Sequence, residues 1–284
     1  MSVGTKNKAC VVIPIYKAAI DENEKKSLKQ ALKIFRNYPI IFSHPKKLDL
    51  TKFHEACLGF SNCSFKSFAD ENFLSVETYS ALLCQKSFYQ KFSEFEFMLI
   101  YQLDAYVFAD ELEVWCSKGL DYVGAPWFKK FDTSGKEAEF LPFAGNGGFS
   151  LRNIRTILRV MDRNLSFKEA FKFKKLLKKY RAKPFIRIIF GIGFFAKLLT
   201  KNTKFSDFIE YCLKHSDFTF EDFFFAQIAH EMFSEFRSAR FDEAIPFSFE
   251  VGSERLFKIN GNKLPFGCHA WQKYSPEFWS KFIK

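Results

Sequence analysis

Four short stretches carry residues that could do chemistry. In "YQLDAYVFADEL" a carboxylate, Asp104, follows an apolar run, and a second acid, Asp110, comes six residues later. A carboxylate so placed can hold a divalent cation against a diphosphate, move a proton, or cap a backbone amide. In "FTFEDFFFAQIAHEMF" the pair Glu221 and Asp222 falls in the first turn of a predicted helix, with Asp217 or Thr219 near its start. Carboxylates there complement the helix dipole. "GNGGFSLR" sets Asn146, with donors and an acceptor, before Gly147 and Gly148, which let backbone approach a ligand or close a tight turn. "LPFGCHAW" places His269 in an apolar, glycine-containing turn, as a structural histidine or a metal ligand.

These residues need elements to position them. A strand buried on both faces exposes a side chain only near its carboxyl end, where open α/β sheets place their ligand crevices. Phe97 to Tyr101 reads as such a strand, with Asp104 at its outlet. "CVVIPIY" (residues 10–16) reads as a central parallel strand whose exit is Pro14, Ile15 and Tyr16. A helix over Ser27 to Phe35 and a strand over Pro39 to His44 complete a β-α-β opening with a right-handed crossover. One helix or two are expected between Asn72 and Phe92, then a buried strand in "DYVGAPW" that breaks at Gly124 and Pro126, and a short strand after the glycine turn. Alternating strands and helices make the fold class α/β. From Asn164 to about Lys204 the chain is dense in lysine and phenylalanine and poor in acids, which predicts a helical insertion or lid, extending to about residue 216, within a single domain of residues 1–284. Asp217 to Phe233 is the helix that carries the acidic pair.

Composition narrows the classes. With 284 residues, 48% hydrophobic and 26% charged, the chain has the material for a packed core and lacks the signature of disorder. A formal charge of +11 favours anionic partners: nucleic acid, anionic membrane or phosphorylated small molecules. No nucleic-acid-binding motif is found and the basic residues concentrate in the insertion, so nucleic acid is set aside. Seven cysteines, an odd number with no CxxC pair, predict free thiols in a reducing cytoplasm. No window approaches the roughly 18 uninterrupted apolar residues of a membrane-spanning helix, so a soluble or peripheral protein is expected.

The spacing of Asp104 and Asp110 resembles GT-A glycosyltransferases, in which a strand ends in Asp-x-Asp and an acid follows six residues later. Here Asp104 takes the second position and Gln102 the first. More specifically, "QLDAYVF", "DYVGAPW", "GNGGFSLR", an "ED" helix start and "PFGCHAW" occur in that order from Gln102 to Trp271. Together they resemble a bacterial and fungal family of glycosyltransferase-like domains. The resemblance implies a GT-A-like, Rossmann-like mixed and mostly parallel sheet flanked by helices, with the basic helical insertion added. It implies transfer of a sugar, with inversion, from a nucleotide-diphosphate donor (a UDP-sugar first) to a glycan or glycolipid acceptor in cell-surface glycan biosynthesis. Pro14, Ile15, Tyr16, Gln102 and Asp104 would bind the donor, and Trp127, Asn146, Gly147 and Gly148 would line the acceptor and sugar pocket. Asp104 and His269 would hold a divalent cation, Mn2+ or Mg2+. Asp222 would be the base, with Glu221 its alternate or an acceptor-binding residue. The location implied is cytoplasmic, peripheral to an anionic membrane through residues 164–204. The rival reading is a catalytically inactive GT-A-like sugar-binding or scaffold protein, suggested by Gln102 in place of an acid.

Overall fold

A computed structural model of the chain describes residues 8–129, 138–179, 203–215 and 221–284. β1 (Ala9–Pro14) is buried at every position and leads through α1 (Glu22–Ile34) to β2 (Ile40–Pro45), then past α2 (Thr51–Ala56) to β3 (Cys63–Phe68). A 3-10 turn at Asp70–Phe73, α3 (Val76–Leu83) and α4 (Lys86–Gln90) return the chain to β4 (Phe97–Tyr101). There follow β5 (Tyr106–Val107), α5 (Leu112–Cys116), β6 (Tyr122–Val123), β7 (Pro126–Phe128), β8 (Phe140–Ala144) and β9 (Phe149–Asn153). α6 (Ile154–Met161), α7 (Phe167–Lys179), α8 (Phe205–His215) and α9 (residues 221–232) form the helical part. The chain closes through α10 (Phe241–Ala244), β10 (Ser248–Phe249), α11 (Ser253–Ile259), β11 (Gly267–Cys268) and α12 (Pro276–Trp279).

The central sheet has the order β3-β2-β1-β4-β9-β6. Its first four strands are parallel, whereas β9 runs antiparallel to both β4 and β6. Mixed α/β with a mostly parallel sheet is the class expected from the sequence. One face packs on α1, α2 and α5 through Leu28, Leu32, Phe53 and Trp115; the other packs on α3, α4 and α6 to α9. Coverage on both faces explains why β1 and β4 are uninterrupted apolar runs. A three-stranded sheet, β10-β11-β5, forms beside the outlet of β4, with Cys268 opposite Tyr106.

One element boundary differs from expectation for an identifiable reason, and the segment from Asn72 to Phe92 takes the two-helix form of the expected alternatives. α1 begins five residues before Ser27, because Asp21 and Glu24 form a reciprocal capping box that starts the helix ahead of its apolar stripe. Between Asn72 and Phe92 the chain makes a 3-10 turn and two short helices, with Ser75 capping the first of them through the N–H of Thr78. In the insertion, Asn164 pairs with Lys204 in an antiparallel bridge, so α7 leaves and α8 returns at one point. Residues 180–202, with Asp217 and Thr219, lie outside the described residues. No helix among the described residues is long and apolar enough to cross a membrane.

Candidate active site

β1 and β4 are parallel neighbours in register, Val12 opposite Ile100, so their carboxyl ends open on the same side. There they wall a cleft of about 560 Å3. Pro14, Ile15, Tyr16, Gln102 and Asp104 all line it, as do Tyr79 of α3 and Gln272. The turn that exposes Asp104 is built from the backbone. The Gln102 N–H donates to Gly148 O at 2.8 Å, and the Ala105 N–H donates back to Gln102 O at 2.9 Å. Below it the Ser27 hydroxyl donates to Ala105 O at 2.6 Å, which fastens α1 to the turn. Asp110 does not line the cleft, and, second to burial, its carboxylate helps to raise the pKa of Tyr38.

His269 contacts two of the residues that line the cleft. Its Nε2 lies 3.2 Å from Asp104 Oδ1 and 3.2 Å from Gln102 Oε1. Its Nδ1 lies 3.0 Å from Glu250 Oε1 and 2.9 Å from Asn146 Nδ2. Burial works against the imidazolium, but the carboxylates of Asp104 and Glu250 outweigh it and push the pKa up to about 10. Burial likewise works against the Asp104 carboxylate, and the facing imidazolium outweighs it, so the Asp104 pKa is lowered. Asn146 holds the turn together: its Oδ1 accepts from the N–H groups of Gly148, at 2.8 Å, and Phe149, at 3.0 Å.

The glycines of "GNGG" serve the protein's own side chains. A Cβ on Gly148 would sit 1.9 Å from His269 Nε2, and one on Gly147 would sit 2.4 Å from Glu221 Oε1. On the side where a Cβ would stand, these two positions face His269 and Glu221. Trp127 is half-buried, packs on the apolar cluster beside Gly145, and with Asn146 stands behind the cleft rather than on its wall.

Glu221 is committed to a buried network. Arg152, fully buried, donates from Nη2 to Glu221 Oε1 at 3.1 Å and from Nη1 to Tyr89 Oη at 3.0 Å. The Ser80 hydroxyl donates to the other Glu221 oxygen, and the Glu221 N–H donates to Ser80 Oγ at 3.0 Å. Both oxygens are engaged, so Glu221 is anchored as the ion-pair partner of Arg152. Asp222 keeps a partly open carboxylate that accepts from the Phe223 N–H at 2.7 Å. Burial first, and the Glu221 carboxylate second, push its pKa up to about 7. The helix continues in π form over Phe224–Ala229.

Glu250, Arg152, Tyr79 and Gln272 were not singled out in the sequence. Glu250 had a signal: in "PFSFEV" a lone acid closes an apolar run, the same pattern that marks Asp104. Tyr79 and Gln272 carry buried polar atoms, Oη and Nε2, with no hydrogen-bond partner among the described residues.

A model of the family described as "Protein of unknown function (DUF5672)" matches residues 62–269. The chain belongs to this family. The match runs from β3 to His269 and so includes Gln102, Asp104, Asp222, Glu250 and His269 of the DUF5672 protein. No curated protein matches the chain. Among solved structures, it is similar to core-mannan synthase A from Aspergillus fumigatus in its Mn/GDP form, at 9% identity over 78% of this chain and 72% of that one, with a TM-score of 0.40. The glycosyltransferase GlyE of Streptococcus pneumoniae TIGR4 matches at 12% identity and a TM-score of 0.45. That match covers 98% of this chain, which spans 60% of GlyE. Mouse xyloside xylosyltransferase 1, in its apo form, matches at 11% identity over 92% of this chain and 96% of that one, with a TM-score of 0.46.

Proposed function

We propose that this DUF5672 protein is a glycosyltransferase that moves a sugar, with inversion, from a nucleotide-diphosphate donor to a glycan or glycolipid acceptor. The observation that carries the reading is that Gln102 and Asp104 line a cleft formed by the carboxyl ends of two parallel strands and that His269 contacts both of them. Folding brings His269 across 167 residues of sequence to reach Gln102. The donor lies along Pro14, Ile15 and Tyr16 with its diphosphate toward Asp104.

Two spacings support a divalent cation at these three groups, although no cluster of three or more His, Cys, Asp or Glu that could hold a metal occurs among the described residues. Bonds of about 2.1 Å put adjacent octahedral ligands about 3 Å apart, and His269 Nε2 stands 3.2 Å from each of the two oxygens. Asp104 Oδ1, Gln102 Oε1 and His269 Nε2 would hold Mn2+ or Mg2+, which when bound would neutralise charge on the diphosphate leaving group. The chain's own contribution is to orient and to accept a proton. Asp222 follows Glu221, which touches Gly147, next to the Gly148 that touches His269. With a pKa of about 7, it is suited to take the proton of the acceptor hydroxyl near neutral pH.

The test is transfer and hydrolysis of a panel of nucleotide sugars, uridine diphosphate sugars first, with and without Mn2+. Turnover in the wild type is expected, with losses of about 100-fold or more in D222A and loss of donor binding in D104A. Donor binding without turnover over a wide acceptor panel would replace the enzyme by a sugar-binding protein built on the same frame.

A further inference from the structure

We infer that Glu250 is the positioning residue of the cation corner and supplies, from behind His269, the negative charge that Gln102 does not supply at its front. The inference rests on the cation reading above.

The pairing is built by strand register. Phe249 of β10 stands opposite Cys268 of β11, and the His269 N–H donates to Phe249 O at 3.0 Å. Glu250 and His269 are the next residues of these two parallel strands, and the register delivers both side chains to the same place. Nδ1 of His269 then has two neighbours that ask opposite things of it. The Asn146 amide, its oxygen held by two backbone N–H groups, turns its NH2 to Nδ1 and would donate. The Glu250 carboxylate, 6% exposed and 3.0 Å away, can only accept. Hydrogen bonds to an ionised group are roughly twice as strong as neutral ones, so Nδ1–H donates to Glu250; in the metal-free chain Nε2–H faces the acceptor oxygens of Asp104 and Gln102, and a cation bound there would take the place of that proton.

Charge completes the argument. Two acids and a neutral histidine would place two negative charges around a cation, whereas Gln102, Asp104 and His269 alone place one. The Glu250 carboxylate restores the second. Because it is buried and its hydrogen bond passes through the imidazole, its field is little screened and makes Nε2 a stronger donor to a metal.

The experiment is a titration of the full chain with Mn2+ alone, free Mn2+ being read by electron paramagnetic resonance, alongside a thermal melt of each variant. E250Q is expected to lose Mn2+ affinity by about 10- to 100-fold, and Q102E introduced into E250Q is expected to recover most of it. E250D, which keeps the charge but withdraws it, should fall between, and serves if E250Q does not fold. Wild-type Mn2+ affinity in folded E250Q, or failure of Q102E to rescue, overturns the inference while leaving the cation reading standing. A wild-type chain that takes up no Mn2+ overturns both, and that result is distinct because it shows before any variant is made.

Discussion

Asp222 and Tyr79 are single side chains whose chemistry can be read without the rest of the molecule. A base works when deprotonated, so with the Asp222 pKa near 7 activity is expected to rise with pH through that region and then level. In D222N the profile should be low and without that limb; a wild-type rate that is flat from pH 5 to 9 would remove Asp222 from the role. Tyr79 Oη is buried without a partner, and an unsatisfied buried hydroxyl costs about 1–3 kcal/mol. Y79F is therefore expected to melt at the same temperature as wild type or higher, the reverse of what loss of a hydrogen bond would give. Breaking the Arg152–Glu221 pair should do the opposite. R152A leaves a buried carboxylate uncompensated and is expected to cost about 3–5 kcal/mol in chemical denaturation. At this scale Asp104 was legible in the sequence because its signal is local, an acid at the end of an apolar run. Arg152 was not: its partner lies 69 residues away, and the sequence of β9 reads the same whether its arginine faces solvent or a buried acid.

The turn between β8 and β9 is an element whose small residues are set by what surrounds it. With His269 Nε2 1.9 Å from the place of a Cβ on Gly148, G148A must push the imidazole out of line. The expected result is a folded protein with near-normal melting but weakened Mn2+ uptake, measured in the same titration as the Glu250 variants. The sequence left these glycines open between close approach to a ligand and a tight turn, since an absent side chain does not say who fills the space. Strands β1, β2, β4 and β9 were legible because burial on both faces writes continuous apolar runs. The start of α1 was missed because a capping box of Asp21 and Glu24 outweighs an apolar stripe that begins only at Ser27. In segment 72–92 the two helices were among the expected alternatives; Ser75 caps the start of the first and the chain breaks between them at Cys84 and Gln85.

For the molecule as a whole, the shifted groups add to a pH dependence of stability with a definite sign. His269, raised from 6.5 to about 10, contributes stability below 6.5 that is lost as pH rises toward 10. Asp222, raised from 3.8 to about 7, acts in the same direction over a lower range. Asp21 and Asp104 have lowered pKa values, so their contribution is lost only as pH falls below 3.8. The metal-free chain is thus expected to melt highest on the acid side of neutrality and to weaken steadily into alkali, with H269N flattening the alkaline part. A melting temperature that climbs from pH 7 to 10 would contradict this account.

The pairing of β5 with β11, described above as part of a small second sheet, has a consequence in time as well as space. Asp104 and the strands that frame it belong to the first part of the chain to leave the ribosome. The partners that complete its corner, Glu250 and His269, emerge only after some 145 further residues of synthesis have passed. A chain halted before residue 250 would carry Gln102 and Asp104 without the His269 that contacts both of them, and without Gln272 of the cleft wall.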